Sequence, residues 1–201
     1  SPIKAEVPAS QQTINTPDKA NATFTAGLLF PMSDDDPDYP ALLMGNYILG
    51  SGTLSSRLGT RVRQKEGLSY GITSSLGVSS QDERASFSIS AIVNPDNIQK
   101  LQACALEEVD RLLRDGVTAE ELDKAREGYL QAMQVGRSND GALAGSLNGL
   151  RYLNRTMMWD ADLEKKIAEL KPDQVGAALR RHIYPKKLVI VNAGDFEKPD
   201  E

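Results

Sequence analysis

The chain has 201 residues, 40% of them hydrophobic and 25% charged, with a net charge of −5. That composition supports one sizeable core, and its acidic balance argues against a nucleic-acid partner, which needs a basic face. No apolar run approaches the roughly 20 residues that cross a bilayer, so no membrane span is expected.

Residues 1–20 carry Pro2, Pro8 and Pro17 among Ser, Thr, Gln and Asn, and read as an arm or linker. Residues 21–201 read as a single domain. The run from Ala22 to Phe30 reads as a strand. Asp34, Asp35 and Asp36 follow in what reads as a solvated loop, since the full calcium-loop pattern is absent. Tyr39 to Leu49 is long and apolar enough for a buried helix, stopped by Gly50 and Gly52. The Gly50-x-Gly52 segment lacks the Lys-Ser/Thr of a phosphate loop and reads as a place of close backbone packing or substrate approach. A second helix is expected over 54–66, with Leu54, Leu58 and Val62 on one stripe and Gly67 as its stop.

Tyr70 to Val78 and Ala85 to Val93 read as two strands. In the second, Phe87, Ile89 and Ala91 alternate with serines, the pattern of an antiparallel sheet covered on one face. Asn94 or Asp96 caps a helix running to about Arg114. Thr118 and Glu121 form a capping box for the next one. Further helices are expected over 140–153, 160–169 and 173–183, with Met157, Met158 and Trp159 as a packing patch. Leu188 to Val191 reads as a last strand. Grouped strands and grouped helices predict an α+β two-layer sandwich, mainly antiparallel, with helices on one face.

The chain has one histidine, His182, and one cysteine, Cys104. Two histidines and a carboxylate for a zinc peptidase site cannot be drawn from that inventory. His182 reads as a surface or capping residue, and Cys104 as buried core. Neither a Ser-His-Asp set nor a glycine-rich cofactor fingerprint is present. No metal ligand and no cofactor is assigned within the chain.

Arg63 and Tyr70 stand out. Arg63 falls in the last turn of the second helix, and Tyr70 opens the strand after a Gly67-Leu68-Ser69 turn. A guanidinium and a phenol both donate hydrogen bonds. Two donors at one sheet edge suit a peptide carbonyl, or the oxyanion formed when water attacks it. Taken without their surroundings, Arg63 is a helix C-terminal cation and Tyr70 a half-buried strand aromatic.

The surroundings resemble a known family. Leu49-Gly-Ser-Gly-Thr-Leu-Ser-Ser-Arg-Leu58, the spacing from Arg63 to Tyr70, Gly116-Val-Thr-Ala-Glu-Glu-Leu122 and Leu188-Val-Ile-Val-Asn-Ala-Gly-Asp195 together are similar to the second-domain signature of the pitrilysin/insulinase zinc peptidases. These are the inverzincins, which include the mitochondrial processing peptidases. The resemblance implies a C-terminal companion domain without the H-x-x-E-H motif, inactive alone. Zinc and a general-base glutamate would come from an H-x-x-E-H-bearing domain of the same or a paired chain. Arg63 and Tyr70 would contact extended peptide substrate and help stabilise the transition state. Arg57 and Arg61 compete for that role, but only Arg63 has the family's spacing to Tyr70. The resemblance also implies a piece of a larger peptidase, in a bacterial periplasm or envelope. The alternative within the same fold is a scaffold domain with no hydrolytic role, as in the respiratory-complex core proteins.

Overall fold

A computed structural model describes residues 7–52 and 55–197. Leu54, expected on the second helix's apolar stripe, lies outside the described residues. The strands are β1 (Ser10–Asn15), β2 (Ala22–Phe30), β3 (Gly71–Val78), β4 (Ala85–Val93) and β5 (Val189–Gly194). They form one sheet in the order β1-β5-β2-β4-β3. Only β1 and β5 run parallel; the other pairings are antiparallel. Part of the expected arm is therefore strand. The polar run Ser10-Gln-Gln-Thr13 gives no hydrophobic alternation to announce it, because β1 joins β5 through its backbone.

The helices are α1 (Tyr39–Asn46), α2 (Ile98–Asp115), α3 (Ala119–Ser138), α4 (Asp140–Tyr152), α5 (Met157–Glu169) and α6 (Pro172–His182). On α2, Ile98, Leu101, Ala105, Val109 and Leu112 recur at helical spacing and are all buried. They meet Phe24, Ala26, Phe87 and Ile89 from the covered face of the sheet in one hydrophobic cluster. Cys104 is buried in that cluster, as its neighbours suggested. The outward positions of the central strands include Thr23, Thr25, Ser86, Ser88 and Ser90, with Leu29 and Ile92 as exposed apolar exceptions. This is the α+β sandwich that the alternation implied.

Two helical runs depart from the expected α geometry. The first continues past α1 as a π-helical turn, Tyr47–Ser51. The second is a π-helical turn over Gly59–Lys65, closed by the Glu66 amide on the Arg61 carbonyl at 3.1 Å. Hydrophobic spacing does not separate these two helix types over so short a run. Leu58 and Val62 are fully buried, so the stripe holds where it is described. Gly67, at φ +61, turns the chain out of the helix.

Gly50 ends the first π-turn against β3. A Cβ built there would lie 2.7 Å from the Ser74 amide and 2.9 Å from a Leu58 methyl. Neither neighbour is free to move, since one is backbone and the other is core. Gly50→Ala is expected to cost about 1–3 kcal/mol, as overpacked cores do. Urea denaturation of the isolated domain would read this as a lower midpoint at constant slope.

The acidic loop is also not the solvated one expected. Asp34 is 8% exposed. Arg155 donates to both of its oxygens at 2.7 Å and to Asp35 at 2.8 Å. The Trp159 indole donates to Asp35 at 2.9 Å, and its ring lies under the Arg155 guanidinium. Of the expected methionine–tryptophan patch, Met158 is 74% exposed, whereas Trp159 packs against the core.

Candidate functional site

The strip from Arg57 to Tyr70 lies along β3, an edge strand of the sheet. Helical spacing sorts its side chains. Leu58 and Val62 point into the core, Arg57 and Arg61 lie beside them, and Arg63 faces solvent.

The three arginines differ sharply in what they hold. Arg57 donates from Nε and Nη2 to the two oxygens of Glu121, 2.8 Å each, and from Nη2 to the Gly116 carbonyl. Arg61 donates to Glu107 at 2.9 Å and lies 3.3 Å from Glu66, which also meets Lys100 at 2.9 Å. Arg63 is exposed and, among the described residues, has neither a hydrogen bond nor an ion pair.

Tyr70 stands one residue ahead of β3 and is 96% exposed. That is not a half-buried strand aromatic. Its backbone is nonetheless fixed. The Ser69 hydroxyl donates toward the Ile92 carbonyl of β4 at 2.5 Å, with the Gly71 carbonyl at 3.0 Å, and accepts the Gly71 amide at 3.2 Å. Ser69 itself is buried. So Tyr70 is held out at the head of an edge strand on a tethered backbone, with Arg63 in the turn that packs against the same strand. No hydrogen bond joins Arg63 to Tyr70. Ser69 carries no motif that spacing could have singled out.

The single histidine takes no part in this strip. His182 Nε2 lies 2.9 Å from Asp38, and Arg181 donates to both Asp38 oxygens at 2.7 and 2.6 Å. The Arg181 guanidinium beside Asp38 holds its carboxyl below the ordinary range, against a smaller opposing effect of burial. Asp36, Asp38 and His182 are the described residues whose ligand atoms are clustered closely enough for a metal ion. Arg181 already covers both Asp38 oxygens with positive charge, and the remaining donors do not make the histidine-rich set zinc prefers. The cluster ties the end of α6 to the start of α1. Among the described residues, no helix is long and apolar enough to cross a membrane.

A family model described as the Peptidase M16 inactive domain matches residues 2–129. The chain belongs to that family. The peptidase M16 inactive domain from Pseudomonas fluorescens superposes with a TM-score of 0.83 at 28% identity, over 96% of this chain and 45% of that one. A protease from Helicobacter pylori shares the fold, with a TM-score of 0.81 at 19% identity over 93% of this chain and 44% of that one. A Streptomyces coelicolor protein described as an uncharacterized zinc protease is 31% identical over 136 residues, which is 67% of this chain and 29% of that protein. The chain thus spans less than half the length of these relatives. As an M16 inactive domain, it carries the fold of a zinc-protease family.

Proposed function

We propose that this domain binds extended peptide for a zinc-bearing companion domain, in the same or a paired chain, and supplies Arg63 and Tyr70 to the shared active site. One observation carries the reading: Arg57 and Arg61 are committed to carboxylates, whereas Arg63 and Tyr70 are exposed with unused donors. A long cation and a bare phenol on a fixed backbone are poor packing choices and good ligand donors.

The companion's zinc supplies a Lewis acid and an activated water. This chain's part is hydrogen bonding. The Arg63 guanidinium, a planar fork of hydrogen-bond donors, donates to a substrate main-chain carbonyl. The Tyr70 hydroxyl donates to the carbonyl oxygen as negative charge grows on it. Such a donor is worth most where charge develops and water is thin.

The test is cleavage of a quenched-fluorescent peptide by this chain alone and by this chain mixed with a zinc-bearing half. Activity is expected only in the mixture and is lost when the zinc is chelated. Turnover by the chain alone would overturn the reading. An assembled but silent mixture would instead make the domain a scaffold.

A further inference from the structure

The strip that carries Arg63 begins at a partly buried anchor. Both Glu121 oxygens take Arg57 at 2.8 Å, and the Glu121 Oε2 also accepts the Thr118 amide at 2.9 Å. The Thr118 hydroxyl accepts the Glu121 amide in return, which completes the capping box of α3. One carboxylate therefore closes the start of α3 and fastens the strip to it. The Arg57 and Glu121 side chains are 12% and 31% exposed, so this two-point pair is partly shielded from solvent. Arg61 spreads its contacts over three carboxylates, Glu107 at 2.9 Å, Glu66 at 3.3 Å and Glu108 at 3.8 Å, with no two-point pair to any of them.

We infer that Arg57 is a positioning residue for Arg63, acting through the π-helical turn and touching no substrate. The inference rests on the reading of Arg63 and Tyr70 given above. Arg63 has no partner of its own among the described residues, so its reach is set by the backbone beneath it. That backbone is a π-turn, a geometry rarely stable by itself. The start of the turn is fastened by the Thr60 amide on the Ser56 carbonyl at 2.8 Å and the Gly59 amide on the Ser56 hydroxyl at 3.2 Å. Arg57 follows Ser56 directly. Releasing Arg57 leaves those local bonds in place but unties the leading end of the turn from α3, while the Gly67 end stays tied by the Leu68 amide to the Val62 carbonyl at 2.9 Å. The turn can then shift, and Arg63 with it.

The experiment uses the assembled two-domain enzyme and a fluorogenic peptide, with Arg57→Ala, Arg57→Lys, Arg63→Ala and the Arg57→Ala/Arg63→Ala double variant. Arg57→Ala is expected to lower kcat about tenfold to a hundredfold, as small displacements of a reacting group do, with little change in KM. Lysine keeps the charge but not the two-point fork, so it restores turnover only in part. The double variant is expected to turn over no more slowly than Arg63→Ala alone, because Arg57 acts only through Arg63. Thr118→Ala weakens the same helix start without touching Arg57, and is expected to keep kcat. Independent, multiplying losses in the double variant would overturn the inference. So would wild-type kcat in Arg57→Ala beside an impaired Arg63→Ala, or a Thr118→Ala loss as large as that of Arg57→Ala. Full turnover in Arg63→Ala would overturn the reading of the pair, and the positioning role with it.

Discussion

Tyr70→Phe in the assembled enzyme is expected to lower kcat by about a hundredfold or more while KM stays within a few-fold, the cost of removing one transition-state donor being about 2.7–4 kcal/mol. The split follows from when the bond is made. A phenol that donates to a neutral carbonyl in the ground state gains modestly, whereas the same donor on an oxyanion gains far more, and only interactions stronger in the transition state raise kcat. The substitution is unusually clean here. Tyr70 is 96% exposed, and its hydroxyl has no partner among the described residues, so removing that oxygen disturbs no packing. The isolated domain should therefore unfold within about 0.5 kcal/mol of wild type, as surface substitutions do. Arg63→Ala should behave likewise, with some rise in KM if the guanidinium also holds the ground-state main chain. Steady-state kinetics beside a denaturation curve separates these effects. An unchanged kcat in Tyr70→Phe would remove the phenol from the chemistry.

The sequence made most of the fold visible, because the signals were local and physical. The boundaries of β2 and β4 follow from alternation, since Phe24, Ala26, Phe87 and Ile89 each face the core. The start of α3 follows from the Thr118–Glu121 capping box. What escaped was long-range or polar. β1 is held through backbone pairing to β5, a partner far along the chain, with no apolar face to reveal it. The π-turns have the same hydrophobic spacing as α-helix over one or two turns. The burial of Asp34 depends on Arg155, which nothing in the acidic run Asp34–Asp36 foretells.

The candidate site divides the same way. Arg63 and Tyr70 are singled out by residue type and the family-like spacing, and the structure shows both exposed. Their rivals could not be dismissed from sequence, because Arg57, Arg61 and Arg63 are chemically identical and sit within two turns. Beyond the spacing to Tyr70, their partners distinguish them. Glu121 and Glu107 lie on other helices, at sequence separations no local pattern reaches. The fold consumes two of the three arginines and leaves the third exposed, with no partner among the described residues. Chemical identity on one strip thus becomes a division of labour only after folding.

Arg155→Ala is expected to destabilise the isolated domain by about 3 kcal/mol, near the lower end for breaking a buried pair by removing one partner. For a chain of this size that corresponds to a fall of about 10 °C in Tm. Arg155 links the loop after β2 to the turn before α5, and Ser80 completes the shell with a 2.6 Å hydrogen bond to Asp34. Without the guanidinium, Asp34 keeps its buried place and loses its countercharge. The pH dependence provides a sharper check. Burial alone would raise the Asp34 carboxyl, but the hydrogen bonds and charge of Arg155, with Ser80, outweigh it and hold the group below its ordinary 3.8. A carboxylate depressed on folding contributes stability that is fully present above the unfolded pKa and is lost as pH falls through the folded one. The gap between wild type and Arg155→Ala should therefore be full at neutral pH and close as the pH falls below about 4. In the variant, burial is opposed only by the Ser80 and backbone hydrogen bonds, so its Asp34 takes up a proton at higher pH than in the wild type and the gap starts to close before the wild-type carboxyl titrates. Asp34→Ala with Arg155→Ala should cost less than the two single losses summed, because each single change strands the other group. A stability gap that stays constant from pH 6 to about pH 3 would show that Arg155 acts there by packing on Trp159, and not through the charge of Asp34.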